Sequence, residues 1–150
     1  MSRLFANSSA LIGLAIVFGA CGGDSTSPST DPPVGNYNAI SFKTSGSSGQ
    51  RDELLAGGSL QLELDSHHAT SGHLHVAASS SNPVVDADMA GTWTASGNVV
   101  TVSQTADTFV RDMPLILSLD PANGYVLTGN NFSSGKQIQV TLKRASCPTC

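Results

Sequence analysis

A chain of 150 residues has room for one compact domain of ordinary size together with processing segments. Charged residues make up 12% of it, and a formal net charge of −4 with only seven Lys plus Arg leaves no basic patch, which excludes the electrostatic term that dominates nucleic-acid affinity. An aromatic share of 5% beside 15 glycines describes a β protein with many tight turns.

The first twenty residues read as an export signal rather than as structure. Arg3 gives a minimal positive start, and residues 10–18 (ALIGLAIVF) form an apolar run too short to span a bilayer, which takes about 20 apolar residues. The run ends in Phe18-Gly19-Ala20-Cys21, which resembles the lipobox of bacterial lipoproteins, where small residues precede a cysteine that is diacylated and becomes the new N-terminus. The resemblance implies a signal peptide over residues 1–20, lipidation at Cys21 and attachment to a membrane through the N-terminal lipid, which several acyl chains make stable. Gly22 rather than Asp follows the cysteine, so the family's inner-membrane retention cue is absent and the outer membrane is favoured over the inner. Residues 22–33 (GGDSTSPSTDPP) carry no apolar side chain and have the composition of a flexible spacer, giving a lipidated cysteine and tether over 21–33. The competing reading is an ordinary signal peptide with a chance cysteine.

From Val34 onward apolar residues recur with a period of two, the strand signature, and no amphipathic helix of useful length is present. Residues 35–43 (GNYNAISFK) put Tyr37, Ala39 and Ser41 on one face and Ile40 and Phe42 on the other. Residues 52–56 (DELLA), inside a polar stretch, offer the only place for a short helical turn. Residues 58–65 place Leu60, Leu62 and Leu64 toward a core, and residues 72–78 place Leu74, Val76 and Ala78 inward with His73 and His75 outward. After a loop at Asn82-Pro83, residues 90–96 and 99–103 flank Gly97-Asn98, a two-residue hairpin turn that tolerates positive φ. Residues 108–119 read as one long strand, or two bent at Pro114, because proline cannot donate to a central ladder. A turn at 121–124, a strand at 125–129, a turn at 130–135 and a last strand at 136–144 with Ile138, Val140 and Leu142 inward complete the domain.

The pattern amounts to about eight antiparallel strands at roughly 10- to 15-residue spacing, which fits a barrel or a β-sandwich. Short turns between successive alternating strands favour an up-and-down meander over Greek-key crossovers, and an eight-stranded meander closes into a barrel that leaves no exposed edge. Gly35-Asn36-Tyr37 at the opening of the first strand resembles the Gly-x-Trp start of lipocalins and bacterial lipocalin-like lipoproteins, with Tyr37 in the place of the tryptophan. Arg144 closes the last strand where that family sets a basic residue over the opening aromatic. The resemblance implies a lipocalin-like barrel over residues 34–145, followed by a tail at 146–150.

Candidate chemistry is sparse, and no catalytic constellation stands out, so a non-catalytic domain is expected. Asp65-Ser66-His67 names the residue types of a nucleophilic relay, yet neighbours on a strand or turn point apart, and no Gly-x-Ser-x-Gly elbow is present. His67, His68, His73 and His75 lie across one expected hairpin, where His67 or His68 would oppose His73 and imidazoles could converge on zinc or copper; the plainer reading is a solvated hairpin tip. Cys147 and Cys150 are expected to pair with each other in an oxidising compartment, with intermolecular pairing and metal or redox chemistry as alternatives. Arg111 and Asp112 interrupt an apolar stretch, with Arg111 either paired at the surface or turned inward toward an acidic ligand. Tyr37 and Trp93 are expected to point into the barrel and to contact a small apolar ligand, since most inward positions are Leu, Val, Ile and Ala. The alternative is an envelope module with a filled barrel whose outer face meets another macromolecule.

Overall fold

The computed structural model describes residues 33–79, 83–133 and 135–145. The expected signal peptide, Cys21, the tether up to residue 32, and Cys147 and Cys150 lie outside the described residues. Alternation with a period of two has its direct consequence here: ten strands and no helix among the described residues. They are β1 (Gly35–Gly46), β2 (Gly49–Asp52), β3 (Ser59–Leu64), β4 (Ala69–Val76), β5 (Val85–Asp88), β6 (Gly91–Ser96), β7 (Val99–Gln104), β8 (Pro114–Asp120), β9 (Gly124–Ser133) and β10 (Lys136–Arg144).

Every pairing is antiparallel, and β10 pairs with β1 along Ser45↔Gln137 to Tyr37↔Arg144, which closes the sheet. Two staves are broken. β2 and β3 both pair with β1, at Lys43–Gly46 and at Gly35–Asn38, while β5 and β6 both pair with β4, at His73–Val76 and at Ala69–Thr70. Counting each broken stave once gives a closed eight-strand up-and-down barrel with two extra strand segments, the meander expected from the short turns, and it fits the lipocalin-like barrel that the resemblance implied.

The inward positions are packed. Leu60, Leu62 and Leu64, Leu74, Val100 and Val102, Leu115, Leu127, and Ile138, Val140 and Leu142 are buried in one cluster with Tyr37 and Trp93. Each such aliphatic side chain contributes about 1.5–3 kcal/mol by leaving water. The Gly97-Asn98 hairpin forms as expected, with Ser96 opposite Val99.

Four expectations need correction. First, β1 does not keep a single parity: its register against β10 shifts between Ala39 and Ser41, so Tyr37 and Phe42 both face the core while Ile40 turns outward at 45% exposure. A bulge inserts one residue and reverses the faces beyond it, and burying a second aromatic outweighs one irregular ladder step. Second, residues 108–113 are a turn-rich loop, not a strand, and β8 begins at Pro114 itself. The loop still buries Val110 and Met113, so its apolar residues plug one barrel end instead of extending the wall. Third, the expected turn at 130–135 is mostly strand: β9 continues to Ser133 with Phe132 exposed. Fourth, residues 53–57 form a turn without helix, and Ala78 is exposed beyond the end of β4.

Candidate ligand-binding site

Each strand pair ends at one of two mouths. One carries the turns at 65–68, 97–98 and 121–123, and Tyr37 and Trp93 close it from inside. The Tyr37 hydroxyl donates to the Pro33 carbonyl at 2.9 Å, and the Trp93 Nε1–H donates to the Asp65 carbonyl at 3.0 Å. Burial pushes the Tyr37 phenol above its ordinary value, and nearby Arg144 offsets this in part. Arg144 pairs with Tyr37 in the strand register, and its guanidinium lies 5.6 Å from the centre of the Tyr125 ring. The two aromatics expected to contact a ligand thus point into the barrel, and both are also built into the core with their polar atoms hydrogen-bonded.

The opposite mouth is built differently. Loop 105–113 folds over it, tied down by Thr105 N–H to the Ala90 carbonyl (3.0 Å), Asp112 N–H to the Val102 carbonyl (2.8 Å) and the Asn131 amide to the Phe109 carbonyl (2.7 Å). Gln104 is buried beneath and accepts from the Thr108 hydroxyl at 2.7 Å, so this polar core residue also anchors the loop. The loop sets the Phe109 ring 5.4 Å from that of Phe42, inclined at 41°. Beside the pair opens a cleft of about 230 Å³ whose apolar wall is Phe42, Val76, Val85, Phe109 and Ile138.

Thr44, Arg51 and Glu53 form one polar wall, and Asp107, Thr108, Ser133 and Lys136 complete the polar lining. The turn after β2 places Glu53. Its N–H still donates to the Phe42 carbonyl at 2.8 Å, continuing the ladder for one residue, and the chain then loops out through Gly57, which takes φ +92°. Asp52 caps the turn by accepting from Leu55 N–H at 3.1 Å. The Glu53 side chain is therefore drawn inward, at 3% exposure. Its Oε1 accepts from the Thr44 hydroxyl at 2.6 Å; its Oε2 is buried and accepts no hydrogen bond from any described protein group. Arg51 Nη1 lies 3.4 Å from Oε2, but the guanidinium hydrogen bonds run to the carbonyls of Ala77 and Ala78, each at 3.2 Å.

The histidines are separated. His67 and His68 sit in the β3–β4 turn, where the Asp65 carboxylate accepts from the N–H groups of His67 and Ala69 and the His68 ring lies 4.6 Å from that of Trp93. His73 opposes Gln61, so the expected juxtaposition with His67 or His68 does not occur: the β3–β4 turn lies at residues 65–68 and holds both of those histidines within it. His73 and His75 instead flank Asp86 of β5, at 3.2 and 2.7 Å from the same oxygen. Hydrogen bonding to His75, and then to His73, holds the Asp86 carboxyl below its ordinary value. Among the described residues, no three His, Cys, Asp or Glu side chains are grouped to hold a metal ion. Arg111 is half-exposed on the mouth loop, 3.7 Å from Asp107 and 3.8 Å from Asp112, as the surface-paired reading expected.

Sequence reading did not single out Phe42, Arg51, Glu53 or Phe109. Arg51 and Glu53 are two apart, so on an extended chain they share a face, and that was the available signal. No protein-family profile matches the chain, and no curated protein or solved structure matches it.

Proposed function

We propose that this chain is an exported, lipid-anchored protein whose barrel is a non-catalytic carrier or binding module for a small apolar molecule, in the manner of lipocalin-like lipoproteins. The observation that carries the binding half is the cleft of about 230 Å³ at the loop-covered mouth, walled by two phenylalanines and three aliphatic side chains. An apolar cavity of about 150 Å³ admits a benzene ring, so a cleft of this size suits a single ring with a short substituent. Tyr37 and Trp93 then serve the ligand indirectly, by keeping the far end of the barrel shut. The export half rests on the apolar run before Cys21 and the spacer after it, and places the domain in the bacterial envelope, with the outer membrane favoured.

Two measurements test this. A solvatochromic hydrophobic dye should bind the protein and be displaced by alkylbenzenes, and Val85→Trp, which fills the cleft from its rim, should abolish the displacement. Absence of dye binding in the parent protein would move the reading to an envelope module with a filled barrel. Metabolic labelling with palmitate should mark the parent chain, and Cys21→Ala should lose both the label and the membrane association; a labelled Cys21→Ala protein refutes the anchor.

A further inference from the structure

Resting on the reading of the mouth cleft as a ligand site, we infer that Glu53 is its polar anchor and that the ligand class is a neutral aromatic alcohol or phenol, whose hydroxyl donates to Glu53 Oε2.

A buried acceptor without a donor costs free energy, and the great majority of such groups in folded proteins have a partner. The rest of the Glu53 environment is satisfied: Oε1 receives the Thr44 hydroxyl, and the backbone N–H is held by Phe42. Among the buried side-chain polar atoms of the described residues Oε2 alone receives no hydrogen bond, and Glu53 lines the cleft. The deficit is one hydrogen bond, because Arg51 Nη1 at 3.4 Å supplies a countercharge but no hydrogen bond to Oε2, while the guanidinium is oriented by its bonds to the carbonyls of Ala77 and Ala78. Arg51 and Lys136 already stand against Glu53 and Asp107 around the cleft, so a cationic ligand is redundant in charge, whereas a neutral hydroxyl supplies the missing proton donor at smaller desolvation cost. The remainder of the ligand is fixed by the opposite wall. The inclined rings of Phe42 and Phe109 favour an aromatic body through offset and edge-to-face contacts, and the volume limits that body to one ring.

The selectivity follows from hydrogen-bond chemistry. A carboxylate oxygen only accepts, so a ligand that only accepts leaves Oε2 unpartnered, while a donor satisfies it. Hydrogen bonds to charged groups are strong enough that a matched donor should outbind its non-donor analogue by roughly 10- to 100-fold.

The experiment is a titration of the full-length protein, followed through the methyl resonances of Val76, Val85 and Ile138, with four single-ring probes of similar size: p-cresol, 4-methylanisole, toluene and 4-methylbenzylamine. The expected order is p-cresol at least tenfold tighter than the other three. Glu53→Gln offers a donor as well as an acceptor at the same place, so it should raise 4-methylanisole toward p-cresol and leave toluene unchanged. Equal binding of p-cresol, 4-methylanisole and toluene to the parent protein overturns the anchor while leaving the apolar cleft standing. Tightest binding by 4-methylbenzylamine overturns the neutral-hydroxyl class. No shift of these methyls with any probe overturns the ligand site itself. Since the four-probe comparison is made on the parent protein, it decides the question even if Glu53→Gln fails to fold.

Discussion

Leu142→Ala tests whether the barrel interior is a core or a container. Leu142 is fully buried on β10, the strand that closes the barrel, and lies between Ala39 of β1 and Leu127 of β9 in the register. Removing three carbons forfeits about 2.4 kcal/mol at about 0.8 kcal/mol per buried methylene. Ala39 is too short to fill the gap, and it adjoins the β1 irregularity, so the void persists and adds a cavity penalty; the total should reach about 3–4 kcal/mol, inside the range of about 2–5 kcal/mol for buried Leu→Ala changes. For a domain near this size, each kcal/mol lowers Tm by about 4–8 °C, giving a drop on the order of 12 °C or more. The assay is equilibrium unfolding in urea, with an unchanged slope against denaturant to show that the unfolded state is the same. Leu119→Ala is the control: Leu119 is 64% exposed on β8, and its loss should stay within about 0.5 kcal/mol. If Leu142→Ala costs no more than Leu119→Ala, the interior is not packed around Leu142, and the assignment of ligand binding to the mouth loses its basis.

Three further outcomes follow from the same geometry. Trp93→Phe removes the donor to the Asp65 carbonyl and should cost about 1–2 kcal/mol in thermal or urea unfolding; an unchanged stability would mean that the bond contributes nothing. Because burial raises the Tyr37 pKa above 10.0, its contribution is complete below the unfolded value and is lost as pH rises through the folded one, so alkaline unfolding should coincide with Tyr37 ionisation in a spectrophotometric titration. Tyr37 ionising without unfolding, at its ordinary value, would contradict this. The Asp86 carboxyl should titrate below the usual carboxylate range by NMR and return toward it in His75→Ala; with its pKa depressed, any stabilisation it gives is present above the unfolded value and fades as pH falls through the folded one. An ordinary midpoint in the parent protein would discard the His75 hydrogen bond as the cause.

Much of the barrel was legible because strand periodicity and turn chemistry agree in this chain. Leu60, Leu62 and Leu64 and the run Ile138, Val140 and Leu142 alternate without interruption, and the Gly97-Asn98 turn fixes its own register. The bulge in β1 was not legible, because Tyr37 and Phe42 are an odd number of residues apart and only tertiary burial decides that both face inward. Residues 108–113 misled for a related reason: Phe109, Val110 and Met113 have strand-like character, but they pack across the barrel end, where burial needs no ladder. The candidate site was the least legible part. It is assembled from a strand end in β1, a turn after β2, the end of β4 and a distant loop, and proximity of that kind leaves no periodic mark in the sequence.

The placement of the site at the mouth is what the barrel's size allows. A domain of about 110 residues buries a modest fraction of its surface, so its interior side chains are needed for stability. The eight staves use them that way: the inward Leu, Ile and Val residues form one cluster with both buried aromatics, continuous from Trp93 at one end to Phe42 at the other. Only where the strands stop do side chains become free to line a space without opening the core. At the first mouth Tyr37 and Trp93 spend that freedom on hydrogen bonds to the entering chain and the β3–β4 turn, and a space of about 430 Å³ there is bordered by residues 122–125 and 143–145. At the second, the broken β2–β3 stave and loop 105–113 keep Phe42, Phe109 and Glu53 close to each other but leave about 230 Å³ between them and their neighbours. The loop divides the labour by residue: Val110 and Met113 seal the core beneath, while Phe109 faces the cleft. Changes at Phe109 should therefore alter ligand preference with little loss of stability, whereas changes at Val110 or Met113 should do the reverse.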